Sequence, residues 1–251
     1  MKKIKVGIVN YLNTAPLIYG LQNGPVMNEI ELIPDYPSKL ADGLIGGSID
    51  VGLVPVAVIP HLDQWWLVGN HCIGADGSVA SVCIFSEVPI ENVTKIILDY
   101  QSRTSVELAK VLVTDYWKLN VALEDAVAGF EDQVKGTTAA LIIGDRALKQ
   151  RKISPYCYDL AEAWKNFTGL SFVFAAWVSN KPLDERFVKM FDDANAYGVK
   201  HIAEVTASLD NDLFDLDEYF RKHISYSLDA NKKKALKKFL QYLDYSINVP
   251  V

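Results

Sequence analysis

A chain of 251 residues, half of them hydrophobic and 22% charged, has the composition of a folded globular protein, which excludes disorder and collagen-like repeats. At about 150 residues per domain it holds one or two domains. Its net charge of −6 gives no electrostatic footprint for nucleic acid, so an anionic ligand must be held by a local site against the global field.

Lys3 to Val9 (KIKVGIV) predicts a buried strand. In the following TAPLIYGLQNG, Thr14 can cap, Pro16 falls in the first turn, and Gly20 or Gly24 can end a short helix. Ile30 to Ile33 predicts a second strand. Ser38 then caps a helix carrying Leu40, Leu44 and Ile45, closed by Gly46-Gly47. Ile49 to Val54 gives a third strand, and this alternation is the pattern of a parallel α/β sheet. Trp65 to Val68 and Val79 to Phe85 read as further strands. The polar, proline-containing residues 86–92 then predict a first crossing between two lobes.

Lys95 to Leu98 starts a new α/β unit, with its helix over Ser102 to Trp117. Ala139 to Ile143 is a strand, and Gly144-Asp145 opens a helix. Trp164 lies on a short helix ended by Gly169. Phe172 to Val178 is a long buried strand with the return crossing at its far end. Three helical stretches follow, over 184–205, 215–223 and 229–245. The reading is of two α/β lobes, residues 1–88 plus 178–251 and residues 89–177. A ligand of such a fold binds between the lobes, where strands end and helices begin.

Four segments at strand ends can carry chemistry. Asn10 to Pro16 offers Tyr11, Asn13 and Thr14 as neutral hydrogen-bonding groups, and equally reads as a strand-to-helix turn with Asn and Thr caps. Asp99 to Ser105 precedes a helix whose start Thr104 and Glu107 mark by capping-box spacing. Its Ser102, Thr104 and Ser105 hydroxyls, the helix dipole and the Arg103 fork form a possible anion cradle, or an ordinary capped helix with Arg103 in solvent. Gly74 to Ser81 reads as a hairpin turn leading to Ser81. Asp145, at a strand-to-helix junction, is an N-cap, a partner for Arg146 or Arg103, or a catalytic carboxylate. Trp164, Phe167, Phe172, Phe174 and Trp177 read as core between the lobes.

The cysteines (Cys72, Cys83, Cys157) and histidines (His61, His71, His201, His223) fall in no CxxC, zinc or metalloprotease spacing. No GxGxxG, phosphate loop or GxSxG elbow is present either. No metal and no cofactor is expected. The odd cysteine count fits a reducing compartment. Lys5 interrupts the first apolar stretch and no run of 18 apolar residues exists, so a cytoplasmic protein without a membrane partner is expected.

In combination, VGIVNYLNTAPLIYGL, GSIDVGLVPVAVIP, GADGSVASVCIFS, LDYQSRTSVELAKVL, TAALIIGDRAL and YDLAEAWKNFTGLSFVFAAWV resemble the menaquinone-biosynthesis dehydratases of the futalosine route across nearly the whole chain. Ala75 and Ala80 stand where that family commonly has other residues. The resemblance implies the two-lobed, type II periplasmic-binding-protein-like fold, with the ligand cleft between the lobes. It implies conversion of chorismate, a small dianion, to 3-[(1-carboxyvinyl)oxy]benzoate. Asn13 and Ser81 are then catalytic, with Tyr11, Thr14, Ser102, Arg103, Thr104, Ser105 and Asp145 binding substrate. The substrate's own enolpyruvyl carboxylate is a candidate proton acceptor. Two alternatives are a sister enzyme of the same pathway that makes 1,4-dihydroxy-6-naphthoate, and a non-catalytic binding protein for an organic anion. Oligomeric state is not legible.

Overall fold

The structure, a computed structural model, describes residues 3–210, 212 and 214–243, with Ser38 described by its backbone alone. Two sheets organise the chain. The first has six strands: β1 (Ile4–Ile8), β2 (Ile30–Pro34), β3 (Val51–Pro55), β4 (Trp66–Ala75), β10 (Phe172–Ser179) and β11 (Ser225–Ser227), in the order β11-β4-β10-β3-β1-β2. The second has five: β5 (Val82–Ser86), β6 (Lys95–Leu98), β7 (Ala122–Asp125), β8 (Thr138–Ile143) and β9 (Tyr156–Asp159), in the order β7-β6-β8-β5-β9. β1 runs parallel to β2 and β3, and β6 parallel to β7 and β8, as strands joined through helices must. β10 and β5 run antiparallel to their neighbours in the two sheets.

Sheet membership corrects the expected lobe boundaries. β5, placed in the first lobe from sequence, belongs to the second sheet, and β10, placed in the second lobe, lies in the first sheet. The chain therefore passes between sheets at residues 76–81 and again just after Gly169, not near 86–92 and 178. The hairpin expected over Gly74 to Ser81 does not form, because β4 and β5 do not pair. The strand read from Val79 starts at Val82, and the one read from Trp65 runs on to Ala75.

Helices cover the sheets: α1 (Ala15–Asn23), α2 (Pro37–Ile45), α3 (Arg103–Val111), α4 (Gly144–Gln150), α5 (Leu160–Thr168), α6 (Glu185–Lys200), α7 (Ile202–Ser208), α8 (Leu216–Glu218) and α9 (Ala230–Tyr242). The cap of α2 is Tyr36, not Ser38, whose side chain lies outside the described part. Thr14 makes no cap bond on α1. The helix expected to reach Trp117 changes to one wide π turn over Leu112–Tyr116. Residues 244 and 245 of the last expected helix lie outside the described residues.

α1 crosses α6 with backbones in contact. A Cβ on Gly20 would stand 2.0 Å from the Ala194 carbonyl oxygen, and one on Gly198 1.8 Å from that of Pro16. Only glycine permits that approach. Of the aromatic group near the second crossing, Trp164 meets Phe172, Phe239 and Tyr242 edge-on, with its indole N–H on the Ser171 carbonyl at 3.1 Å, whereas Trp177 packs apart from it, against Phe191 and Asn195 of α6. Among the described residues, no helix is long and apolar enough to cross a membrane.

Candidate functional site

The end of β1, the start of α3 and the 76–81 crossing converge on one cavity between the sheets. Its polar lining is Tyr11, Asn13, Thr14, Ser81, Gln101, Ser102 and Ser105, set among Leu53, Pro55, Ile73, Val79, Ile143 and Phe174. None of these is charged. The cavity measures about 80 Å³, room for several waters only. A larger depression of about 930 Å³ runs openly along α3. Its Arg103 and Lys110 are already paired, with Asp42 at 3.2 Å and Glu107 at 2.8 Å. The smaller cavity is the better site, because it brings Asn13 and Ser81 together with the start of α3, whereas of these the larger depression reaches only α3.

Three residues past the end of β1, an extended Tyr11 leads into one tight turn over Leu12–Thr14. The Thr14 hydroxyl is shared between the carbonyls of Val9 (2.6 Å) and Tyr11 (2.7 Å), so it holds the turn rather than reaching into the cavity. That turn presents Asn13. Its backbone carbonyl accepts from the Tyr226 hydroxyl at 2.9 Å, while its side-chain Oδ1 is buried without a hydrogen-bond partner. Such an orphaned acceptor costs about 1–3 kcal/mol unless a ligand or water meets it. The Tyr11 hydroxyl reaches across the lobes and donates to Gln101 Oε1 at 3.0 Å. Burial, helped by Asp99, pushes the Tyr11 phenol up to about 12, so it stays neutral.

Ser81 is fully buried. Its Oγ accepts from the Tyr219 hydroxyl at 2.7 Å, and its own proton finds only the Val79 carbonyl at 3.5 Å, the outer limit of a hydrogen bond. Burial also pushes the Tyr219 phenol up, which keeps it a donor. The crossing that carries Ser81 is fastened by Asp159. That carboxylate accepts from the Ser78 hydroxyl (2.7 Å) and the N–H groups of Val79 (3.1 Å) and Ala80 (2.7 Å), and caps α5 through Ala161 and Glu162. Ala80 is thereby held at φ 63°, a left-handed conformation unusual for alanine.

At α3 the N-cap is Ser102, whose Oγ accepts from Ser105 N–H at 3.1 Å. The capping box read from Thr104 is corrected: Glu107 bonds Lys110, and the Thr104 hydroxyl accepts from Ala57 N–H of the other lobe at 3.2 Å. Arg103 is corrected too, because its guanidinium points at Asp42 and not into the cavity. Asp145 lies outside the lining, and neither Arg146 nor Arg103 pairs with it. Arg146 instead grips Asp99 (2.7 and 2.8 Å) and Glu131 (2.7 Å). Nor does Asp145 cap α4, where Ile143 holds that position. Its carboxyl, pushed up by burial, is opposed by the Leu12 N–H that donates to it. Sequence reading missed Gln101, Asp159, Tyr219 and Tyr226. Gln101 lay in one of the four strand-end segments, and Asp159 in the YDLAEAW stretch that carries the family resemblance, where nothing marked it for the site. Among the described residues no group of three His, Cys, Asp or Glu side chains could hold a metal.

Fold and cleft together define a two-lobed, periplasmic-binding-protein-like α/β protein. A crystal structure of a protein from Archaeoglobus fulgidus superposes with a TM-score of 0.72 at 16% identity, over 96% of this chain and 97% of that one. A Candida albicans gene product, described as having the generic periplasmic binding protein fold, gives 0.61 at 12% identity, over 99% and 92%. The chain belongs to the menaquinone-biosynthesis family, whose model matches residues 4–245. It is 24% identical to the chorismate dehydratase of Thermus thermophilus, over 97% of this chain and 96% of that protein. It is 29% identical to the chorismate dehydratase of Campylobacter jejuni, over 94% and 95%.

Proposed function

We propose that the protein is a chorismate dehydratase, a carbon–oxygen lyase of the futalosine route to menaquinone that forms 3-[(1-carboxyvinyl)oxy]benzoate and water. The observation that carries this reading is the buried, unpartnered Asn13 Oδ1 in an uncharged cavity, in a chain whose relatives are named for that reaction.

The elimination removes the ring hydroxyl and the hydrogen on the carbon bearing the ether, and the ring becomes aromatic. Aromatisation supplies the driving force, so positioning matters more than a strong base. Asn13 Oδ1 accepts from the ring hydroxyl and fixes its orientation. Ser81, receiving a hydrogen bond from Tyr219, turns its own proton toward a substrate oxygen and donates to the departing hydroxyl. Ser102, Ser105 and the first turn of α3 take a carboxylate through hydroxyl and N–H donors. The substrate's enolpyruvyl carboxylate receives the ring proton, which leaves with the hydroxyl as water. Pocket carboxylates would repel a dianion, and an uncharged lining avoids that.

The test is an absorbance and NMR time course of purified protein with chorismate. The diene signal should disappear as an aromatic enol ether and water form in equal amounts. Saturable binding that leaves chorismate unchanged would overturn the enzymatic reading in favour of an organic-anion binding protein.

A further inference from the structure

Away from the cavity, two of the three cysteines share one cation. β5 and β9 pair Phe85 with Cys157 and Cys83 with Asp159, so the two cysteines lie two residues apart on the same face of neighbouring strands. Arg151, just past the end of α4, places Nη1 3.1 Å from Cys157 Sγ and 3.4 Å from Cys83 Sγ. Cys83 is fully buried, whereas Cys157 is partly open to solvent.

A guanidinium shared by two sulfurs favours one thiolate beside one thiol. The neighbouring Cys83 thiol and the Arg151 cation hold the Cys157 thiol below its ordinary value against burial, Asp159 and Glu162, while the Cys83 S–H points to the Ala80 carbonyl. Burial pushes the Cys83 thiol up. Cys72 is a contrast. It is buried in β4 against the carbonyls of Ser225 and Ser227, and burial pushes its thiol up to about 12. None of Cys83, Cys157 and Arg151 lines the interlobe cavity, so the proposed reaction has no use for them.

We infer that Cys157 and Cys83 form a peroxide-oxidisable thiol pair, with Cys157 attacking, Arg151 stabilising its thiolate and Cys83 resolving the product. The Cys157 thiolate attacks one oxygen of hydrogen peroxide. The O–O bond breaks, Cys157 becomes the sulfenic acid, and hydroxide leaves and takes a proton from solvent. Cys83 then gives up its proton and its sulfur attacks Cys157 sulfur. The S–S bond forms, the S–O bond breaks, and hydroxide departs with that proton as water. Two thiols are oxidised and one peroxide is reduced to two waters. The bond would form beside the 76–81 crossing, because Cys83 Sγ and Arg151 Nη1 each lie 3.4 Å from the Ala80 carbonyl oxygen.

The test treats the whole reduced protein with stoichiometric hydrogen peroxide and follows intact mass and peptide map. The expected product has lost two hydrogens, joins the Cys83 and Cys157 peptides within one chain, and reverts with a thiol reductant. Cys83→Ser should stop at a sulfenic acid on Cys157, trapped by dimedone, and Cys157→Ser should give neither product. Arg151→Lys should slow alkylation of Cys157 at neutral pH several-fold, because the planar fork shared by the two sulfurs is lost. The wild-type measurement needs no variant to fold. An unchanged mass with Cys157 still open to alkylation, oxidation that falls first on Cys72, or a link only between chains would overturn the assignment.

Discussion

Asp159 offers the sharpest test of how the site is held. It is 6% exposed and accepts from Ser78, Val79 and Ala80 on the crossing and from the first turn of α5. Asp159→Ala would leave the N–H groups of Val79 and Ala80 buried and unmet, at about 1–3 kcal/mol each. It would also remove the cap of α5, about 1 kcal/mol more. Water entering the vacated space offsets part of this, which leaves an expected loss of about 3–5 kcal/mol. In Asp159→Asn, the amide oxygen can stay on Val79, Ala161 and Glu162. Its NH₂ then meets the Ala80 N–H donor, for a loss of about 1–2 kcal/mol. Guanidinium unfolding midpoints at constant slope measure both. The Asn variant should also lose turnover at normal fold content, because Ala80 no longer fixes Ser81. An Ala variant within 1 kcal/mol of wild type would refute the view that this carboxylate holds the crossing.

Other expectations follow from the cavity and its surroundings. Asn13→Ala should lower kcat about 10²-fold, as for a lost positioning group. It should keep or raise Tm, because Oδ1 bonds nothing in the fold and its burial is costly; turnover at the wild-type rate would remove Asn13 from the reaction. Tyr219→Phe should cost about 1–2 kcal/mol of stability and lower kcat more than it raises KM, since it frees Ser81 Oγ from its donor; an unchanged kcat would show that this bond only packs the core. The neutral Tyr11 phenol is favoured on folding, so its stabilisation is whole below pH 10 and is lost as pH climbs from 10 toward about 12. Wild type and Tyr11→Phe should therefore show parallel kcat/KM profiles up to pH 10, and an earlier wild-type decline absent from the variant would contradict the raised phenol. Arg103→Ala should leave KM within about twofold, because it breaks only an exposed ion pair to Asp42; a tenfold rise would put Arg103 on the substrate.

The α/β alternation over the first 55 residues was legible because periodicity reports burial. The crossings were not, because burial does not report pairing partners. VASVCIF and FVFAAWV are apolar enough to lie in the middle of either sheet, and only long-range registry sends Cys83 beside Asp159 and Trp177 beside Leu53. β7 escaped notice because all four of its residues are exposed, and β11 because it has three residues. At the site, Asn13 and Ser81, which stand at strand ends, both line the cavity. The start of α3 was misjudged by helical phase. Ser102 and Ser105, three apart, share the face that lines the cavity, while Arg103 is turned away toward α2. Tyr219 and Tyr226 reach the site from more than a hundred residues along the chain, and no local pattern encodes that.

Several residues that sequence reading assigned to the ligand bind the opposite lobe instead. Thr104 takes the Ala57 N–H, Arg103 takes Asp42, Asp145 takes the Leu12 N–H, and Tyr11 gives its proton to Gln101. These bonds join the β1 end, α2 and the segment after β3 to the starts of α3 and α4, which form the two walls of the cavity. Three hydrogen bonds at about 0.5–1.5 kcal/mol net and one exposed ion pair worth at most about 1 kcal/mol give a latch of about 2–5 kcal/mol. A cavity of about 80 Å³ is too small for a ring bearing two carboxylates, so such a ligand requires the lobes to part. A latch of that size leaves the open state populated at a fraction of a per cent to a few per cent, within reach of ligand binding. It is also strong enough to shut water out once the site is filled. Cradle and latch draw on the same helix start because successive residues on a helix face different ways. Ser102 and Ser105 look into the cavity, while Arg103 and Thr104 hold the lobe across from it.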